Sequence, residues 1–419
     1  MFFRQAFEHP DLEVVAFNDP HDHEGSCHLL KYDSTYGEFK HDIGCDKGHI
    51  IVDGQKISAF HERNPEQIPW SEVQADIVVE ATGVFRSKED AGKHLRAGAK
   101  KVIVTAPPKG ELDAMIVMEE FGKGLVVEPF VPTVVCAGGF LAQAGTDAQR
   151  EEHLSAIIDG SRVFAFAYAE PRGRYDYADL ETTAKKDGDG YVLNGHKAVV
   201  IGAPWASHLV VTARTGGERR DREGVSVFIV DKSADGIVTR DYETVDGRRA
   251  SEIYFENVSV PADALIGEEG AGLPLIERVT DHAIAAQCAE ACGAMKVAHA
   301  MTLEYSKQRK QFGVPIGKFQ VLQHRMVDMY TAYETSVSLT YLATLKLDAG
   351  EAERKRTVSA AKVGVGQAAR LIGQEAVQIH GGNGVTDEYA IGHYFKRLTI
   401  FESEFGSVDH HLKRHVTLS

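Results

Sequence analysis

Apolar residues in the first 118 positions come as short runs between polar, helix-favouring stretches. LEVVAF (Leu12–Phe17), ADIVVEATG (Ala75–Gly83) and KKVIVTAP (Lys100–Pro107) each read as a buried strand that ends at turn residues. SKEDAGKHLRAGA, between the last two, has helical spacing. Runs of this kind joined by crossover helices predict a parallel sheet. GHIIVDGQKISAF alternates about Asp53-Gly54, a pair that favours a tight hairpin. After Met118 the pattern changes. Positions 119–160 predict helices broken by turns. From 161 to 268, VFAFAYAE, GYVLNGHKAVVI, HLVVTART, GVSVFIVD and SEIYFENVSV alternate with Gly and Asp turns, the rhythm of a β-sandwich or barrel. From 269 to 419 the periodicity is helical. Residues 273–306, 316–349 and 351–380 predict three long helices with a shorter one after them, and amphipathic helices in series pack as a bundle.

Composition narrows the function classes. The chain has 419 residues, 43% hydrophobic and 26% charged, with a net charge of −15. Lys and Arg are scattered, so no nucleic-acid partner is expected. No apolar run reaches the roughly 18–20 residues of a membrane span. The closest stretch, Leu125–Ala144, is interrupted by Glu128, Pro129 and Pro132. MFFRQAFEHPD is too short and too polar for a secretory signal. Five cysteines without a CxxC in an acidic chain predict reduced thiols and a cytoplasmic setting. Cys288 and Cys292, one helical turn apart, read as small core residues rather than a metal pair.

A strand that ends in an acidic residue suits a dinucleotide site, where the carboxylate accepts from a ribose hydroxyl. Asp19 fits that role. The diphosphate also needs a glycine-rich turn before a helix N-terminus, and MFFRQAFEHPD has neither a preceding strand nor a GxGxxG. FND (Phe17–Asp19), KYDSTYGEF (Lys31–Phe39), HERNPEQIPW (His61–Trp70), EATGVF (Glu80–Phe85) and GAKKVIVTAP (Gly98–Pro107) together resemble the NAD-binding domain of glyceraldehyde-3-phosphate dehydrogenase. The resemblance implies that Asp19 meets the cofactor ribose and that Thr82 lines the nicotinamide side. It stops before that family's catalytic cysteine motif and partner histidine, and Cys27 and Cys45 lie outside the motif. A truncated Rossmann-like α/β remnant with an uncovered strand edge is therefore expected, rather than an NAD-dependent aldehyde dehydrogenase.

The second half carries three further signals. YAEPRGRYD (Tyr168–Asp176) is a turn-rich rim of the β block. RKQFG (Arg309–Gly313) interrupts a helix with two cations, and Arg suits bidentate phosphate contacts. QIHGGNGVTDEY (Gln378–Tyr389) puts three glycines beside a helix end, where backbone N–H groups can approach a phosphate or adenine. With DGDGYVLNGHK, GVSVFIVD, VSVPADALIGEEG and RKQFGVPIGKFQVLQHRMVDM, they resemble the acyl-CoA dehydrogenase family from residue 118 to the C-terminus. The resemblance implies a multidomain fold: remnant helices of the family's N-terminal domain (119–160), a middle β-barrel or sandwich (161–268) and a C-terminal four-helix bundle (269–419). It implies FAD between the last two, touching a neighbouring subunit. Arg309 and Phe312 then meet the flavin nucleotide across a dimer interface, and Gln378, Gly381 and Gly382 support it from another subunit. Tyr168 to Glu170 and the strand end Val200–Ile201 pack the isoalloxazine ring. The family usually has Trp and Thr near that strand end.

The implied reaction is α,β-desaturation of an acyl-CoA thioester, which needs a carboxylate base because the α-proton is very weakly acidic. One usual base position holds Phe405, and the other holds Ala283. Glu404, one residue from the first, is the candidate base. The expected function is an FAD-dependent acyl-CoA dehydrogenase-like subunit of weak activity, in a homo- or hetero-oligomer. The alternative is a non-catalytic partner subunit, since pimeloyl-CoA dehydrogenase small subunits likewise have FG where others have EG. An NAD-dependent aldehyde dehydrogenase is a third, weaker reading.

Overall fold

The computed structural model describes residues 2–9, 12–19, 23–33, 37–46, 48–80, 88–104 and 111–418. They fall into two compact units, Met1–Asp113 and Ala114–Ser419.

The first unit contains α1 (Phe2–Glu8), β1 (Ala16–Asn18), α2 (His23–Lys31), β2 (Ile43–Asp46), β3 (His49–Val52), β4 (Gln55–Phe60), β5 (Ile77–Glu80), α3 (Lys88–Arg96) and β6 (Lys101–Val104). The hairpin forms as predicted: Asp53 and Gly54 take φ of 50° and 85° between β3 and β4. The expectation of a parallel sheet holds only in part. β1 pairs β4 and β5 pairs β6 in parallel, but β2, β3 and β4 are antiparallel. The two groups form separate sheets, β1-β4-β3-β2 and β5-β6. The first strand is also shorter than its apolar run, because Leu12 and Glu13 are exposed. Ile50, Val52 and Ile57 form a core with Leu30 and Phe39.

A buried polar chain ties the second sheet to α3. Trp70 Nε1 donates to His94 Nδ1 (3.0 Å), and His94 Nε2 lies 2.9 Å from Glu80 Oε2. The expectation of reduced thiols is corrected here: Cys27 on α2 is disulfide-bonded to Cys45 on β2. A helix packed on a strand edge brings together two cysteines whose spacing carries no motif. Cys136, Cys288 and Cys292 are free and buried. Asp19 ends the first strand run, and its carbonyl accepts from His61 Nδ1 at 2.8 Å. Thr82 lies outside the described residues.

α4 (Glu111–Gly124), which lies in the second unit from Ala114 on, is followed by a π-helical stretch, Val131–Ala137, that runs into α5 (Gly138–Ala144). The β block contains β7 (Phe164–Ala167), β8 (Thr183–Asp187), β9 (Gly190–Ile201), β10 (His208–Arg214), β11 (Val225–Asp231), β12 (Ile237–Glu243), β13 (Arg249–Pro261) and β14 (Leu265–Ile266). They make one sheet of order β12-β13-β9-β8-β10-β11-β14, with β7 beside β10. Both faces are covered, and side chains alternate between two cores. Val225, Val227 and Ile229 face a core shared with the helices, whereas Phe228 and Val230 face one made by the sheet itself.

The helices are α6 (Gly272–Gln308), α7 (Gln320–Leu345), α8 (Glu351–His380), α9 (Ile391–Ser403) and α10 (Val408–Thr417). The long three match the expectation within a few residues. α4 docks directly on the backbone of α6. A Cβ on Gly122 would lie 1.8 Å from Glu290 O, and one on Gly293 would lie 1.9 Å from Glu119 O. Among the described residues no helix is long and apolar enough to cross a membrane.

Candidate functional site

The site forms where the rim of the β block meets α6 and the turn between α9 and α10. Its floor is an internal ion pair. Lys197 on β9 is fully buried; its Nζ donates to Glu170 Oε1 (2.7 Å), Thr212 Oγ1 (3.1 Å) and Tyr168 O (3.3 Å). Glu170 also accepts from the backbone N–H groups of Glu181 (2.6 Å) and Thr182 (3.1 Å). Burial alone would raise the Glu170 carboxyl, but Lys197 and these donors hold it below its usual range. Glu170 thus fastens the rim segment that carries Tyr168.

Beside it, β9 bulges against β13 between Lys197 and Val200. Val199, at the bulge, takes φ of 51° and is half-exposed. A β-branched residue in the left-handed region is strained, and such strain concentrates at ligand sites. Val200 is buried and Ile201 half-buried on the same strand end.

Glu404 caps α9, and the chain turns through Phe405 (φ 51°) and Gly406 (φ 124°) into α10. The Phe405 ring stacks on Tyr168, with centroids 5.3 Å apart and planes at 17°. Burial raises the Tyr168 hydroxyl well above its ordinary value, with Tyr177 and Glu404 adding to the effect. Glu404 turns the other way. Its Oε2 accepts from Gln287 Nε2 (2.8 Å), and its Oε1 lies 3.0 Å from Arg248 Nη1.

Arg248 opens a buried network that the sequence reading missed. Its Nε contacts Asp246 (2.7 Å). Arg397 Nη1 reaches Asp246 (3.4 Å) and Glu290 (3.3 Å), and its Nη2 donates to Val126 O (2.6 Å). Burial raises the Glu290 carboxyl despite both arginines. Arg248, Glu290, Arg397 and Ile201 line a cavity of about 20 Å³ with Val126–Pro132. That is room for about one water. Arg248 Nη2 and Arg397 Nε have no protein partner, so a water there would be well held.

The remaining candidates form a second group at the far ends of α6 and α8. Arg309 and Phe312 are exposed, Phe312 at 93%. Gln378 is exposed at the end of α8, and Gly381 takes φ of 60°. A Cβ on Gly381 or Gly382 would meet nothing within 4 Å, so their backbone faces open space. Tyr305 joins the two motifs: it stacks on His380 (4.3 Å), its hydroxyl donates to His380 O (3.3 Å), and its carbonyl accepts from Arg309 N (2.8 Å).

The turn also sets a pH dependence. His411 on α10 is buried, and burial pushes its imidazole down to about 3. The unfolded chain protonates this group near 6.5. Its stabilising effect is therefore complete above pH 6.5 and is lost as pH falls towards 3, at about 1.4 kcal/mol per pH unit. Unfolding free energies of the native chain and His411→Gln, measured from pH 7 to 4, should converge with that slope.

Comparison with known proteins gives three family matches. Residues 1–88 match the glyceraldehyde 3-phosphate dehydrogenase NAD binding domain. Residues 165–258 match the acyl-CoA dehydrogenase middle domain, and 270–414 its C-terminal domain. A 3-(aryl)acrylate reductase of Clostridium sporogenes is 34% identical over 61% of this chain and 68% of its own length. The short-chain specific acyl-CoA dehydrogenase of Megasphaera elsdenii is 32% identical over 68% of this chain and 76% of its own. Among solved structures, an FAD complex of PigA superposes with a TM-score of 0.70 at 25% identity, covering 75% of this chain and 83% of that one. With the eight-stranded middle sheet and the helical bundle in place, these matches make the chain a member of the acyl-CoA dehydrogenase family, an oxidoreductase family, carrying a Rossmann-like N-terminal segment.

Proposed function

We propose that this chain is an FAD-binding subunit that desaturates an acyl-CoA thioester slowly, with Glu404 as its base. The observation that carries the reading is the turn of Glu404. It is the carboxylate that flanks Phe405, and Arg248 and Gln287 hold it beside the strand end where the flavin ring would lie.

The residues present suit the cofactor. The strained bulge at Val199 offers the ring an apolar, partly exposed surface. Arg309, with no ion-pair partner among the described residues, and the open Gly381–Gly382 loop suit a diphosphate. These last groups would serve a neighbouring subunit, so the reading entails a homo- or hetero-oligomer. The chemistry FAD supplies when bound is acceptance of the β-hydrogen as hydride.

Glu404 would take the α-proton. To reach it, the carboxylate must give up contacts with Arg248 and Gln287, and that cost accounts for slow turnover. Phe405 and Tyr168 exclude water from the same space. A partner-subunit reading has one specific observation behind it: the Phe405 ring, stacked on Tyr168, stands where the family usually has its base.

The test is the visible spectrum of the purified protein, before and after anaerobic addition of a panel of acyl-CoAs. A flavin spectrum that one of them bleaches, with the rate cut about 100-fold in Glu404→Gln at unchanged flavin content, is expected. Flavin that no acyl-CoA bleaches would leave the partner-subunit reading. Absence of flavin would overturn both.

A further inference from the structure

The turn that carries Glu404 and Phe405 is gripped at both ends by side chains from other helices. Lys362 of α8, fully buried, donates to Phe401 O and lies 3.7 Å from the Phe401 ring centroid. At the other end, His411 Nε2 lies 2.9 Å from Phe405 O. A carbonyl only accepts, so Nε2 carries the proton. Nδ1 must then accept, and the Ser359 hydroxyl stands 3.2 Å away to donate. Ser359 Oγ in turn accepts from Arg414 Nη1 (3.3 Å). Arg414 Nη2 donates to Asp281 Oδ1 (2.7 Å), and Arg354 Nε to Asp281 Oδ2 (2.9 Å). The run Asp281–Arg414–Ser359–His411 reaches the Phe405 carbonyl with every link made.

The backbone at the end of this run is not one it would keep unaided. Phe405 is a bulky residue at φ 51°. A Cβ on Gly406 would lie 2.4 Å from His411 Nε2, so the imidazole is seated against the turn itself. Strained residues persist only where their surroundings over-determine them. Here the surroundings are two hydrogen bonds, to the carbonyls of Phe401 and Phe405, that bracket Glu404.

We propose that His411 is a positioning residue for the candidate base. By holding the Phe405 carbonyl it fixes the backbone between Glu404 and Gly406, which aims the Glu404 carboxylate at Arg248 and the Phe405 ring at Tyr168. Lys362 anchors the start of the same segment. The catalytic consequence rests on the reading of Glu404 as base, but the placement of the turn does not.

The test uses the full chain with 4-fluorophenylalanine at position 405. Stacking on Tyr168 shifts the fluorine resonance from its position in the denatured chain. In His411→Leu the resonance is expected to move most of the way to that position in the absence of denaturant, under conditions where circular dichroism shows the chain still folded. His411→Gln, whose amide reaches the same carbonyl, is expected to restore it. In parallel, flavin bleaching by an acyl-CoA should slow at least tenfold in His411→Leu and recover in His411→Gln, with flavin content unchanged. A native fluorine shift in His411→Leu overturns the proposal. If His411→Leu does not fold, His411→Phe takes its place: it keeps a flat ring of similar size but donates no hydrogen bond to the Phe405 carbonyl, and an unmoved resonance there is equally fatal. If the native chain never bleaches, the base reading fails, and the fluorine shift alone decides the positioning role.

Discussion

Phe405→Glu is expected to speed anaerobic flavin reduction by an acyl-CoA about 100-fold or more over the native chain, read by stopped-flow absorbance at constant flavin content. General-base catalysis by a positioned carboxylate is commonly worth about 10²–10⁴ in rate. Position 405 meets the positioning requirement already. Its carbonyl is held by His411, and its side chain, in a residue only 8% exposed, stacks on Tyr168. A carboxylate there would sit among apolar groups, which raises its pKa towards the working pH and strengthens it as a base. Unlike Glu404, it would not have to leave an arginine first. Ala283→Glu is the contrasting case. Ala283 is fully buried in the main core of the helical bundle, so a carboxylate there would displace packed side chains. That variant is expected to lose stability, by several kcal/mol for a buried charge without a partner. If Phe405→Glu binds flavin and still shows no gain, the slow step is not proton abstraction, and the partner-subunit reading takes precedence.

The parts of this molecule that were legible from sequence are those whose signal is local. Apolar runs bounded by Gly and Asp turns placed β10, β11 and β13, and the long helical runs placed α6, α7 and α8 to within a few residues. β12 was not legible. It is an edge strand with Val238 half-exposed and mostly polar neighbours, so it has no buried face to impose an alternation. The site divides in the same way. Tyr168, Arg309 and the Gly381–Gly382 loop stand out because their motifs are contiguous. The network of Asp246, Arg248, Gln287, Glu290 and Arg397 draws on positions up to 151 apart. Each of these residues taken singly is an ordinary polar residue, and only the fold shows that they are buried together. Glu170 was legible as a rim residue, but its engagement with Lys197 was not, because that pairing joins segments 27 residues apart.

That pair sets the largest stability effect expected from a single substitution in this unit. Glu170→Ala should lower the unfolding free energy by about 3–5 kcal/mol, measured by denaturant titration. The loss is large because Lys197 is 0% exposed and cannot reach water when its counter-charge is gone. Thr212 Oγ1 and Tyr168 O remain as neutral acceptors, but neither balances a buried ammonium. The backbone N–H groups of Glu181 and Thr182 also lose their acceptor, which adds a penalty of its own. The paired replacement Glu170→Leu with Lys197→Met separates charge from architecture. It removes both ions and keeps comparable volume, so most of the stability should return. Flavin content should not return with it, because Lys197 Nζ also holds the Tyr168 carbonyl, and the rim would lose that tether. Recovery of both would mean that the ion pair serves only the core. Recovery of stability alone would mean that the charged pair is kept because it fixes the wall against which Phe405 and the flavin ring are placed.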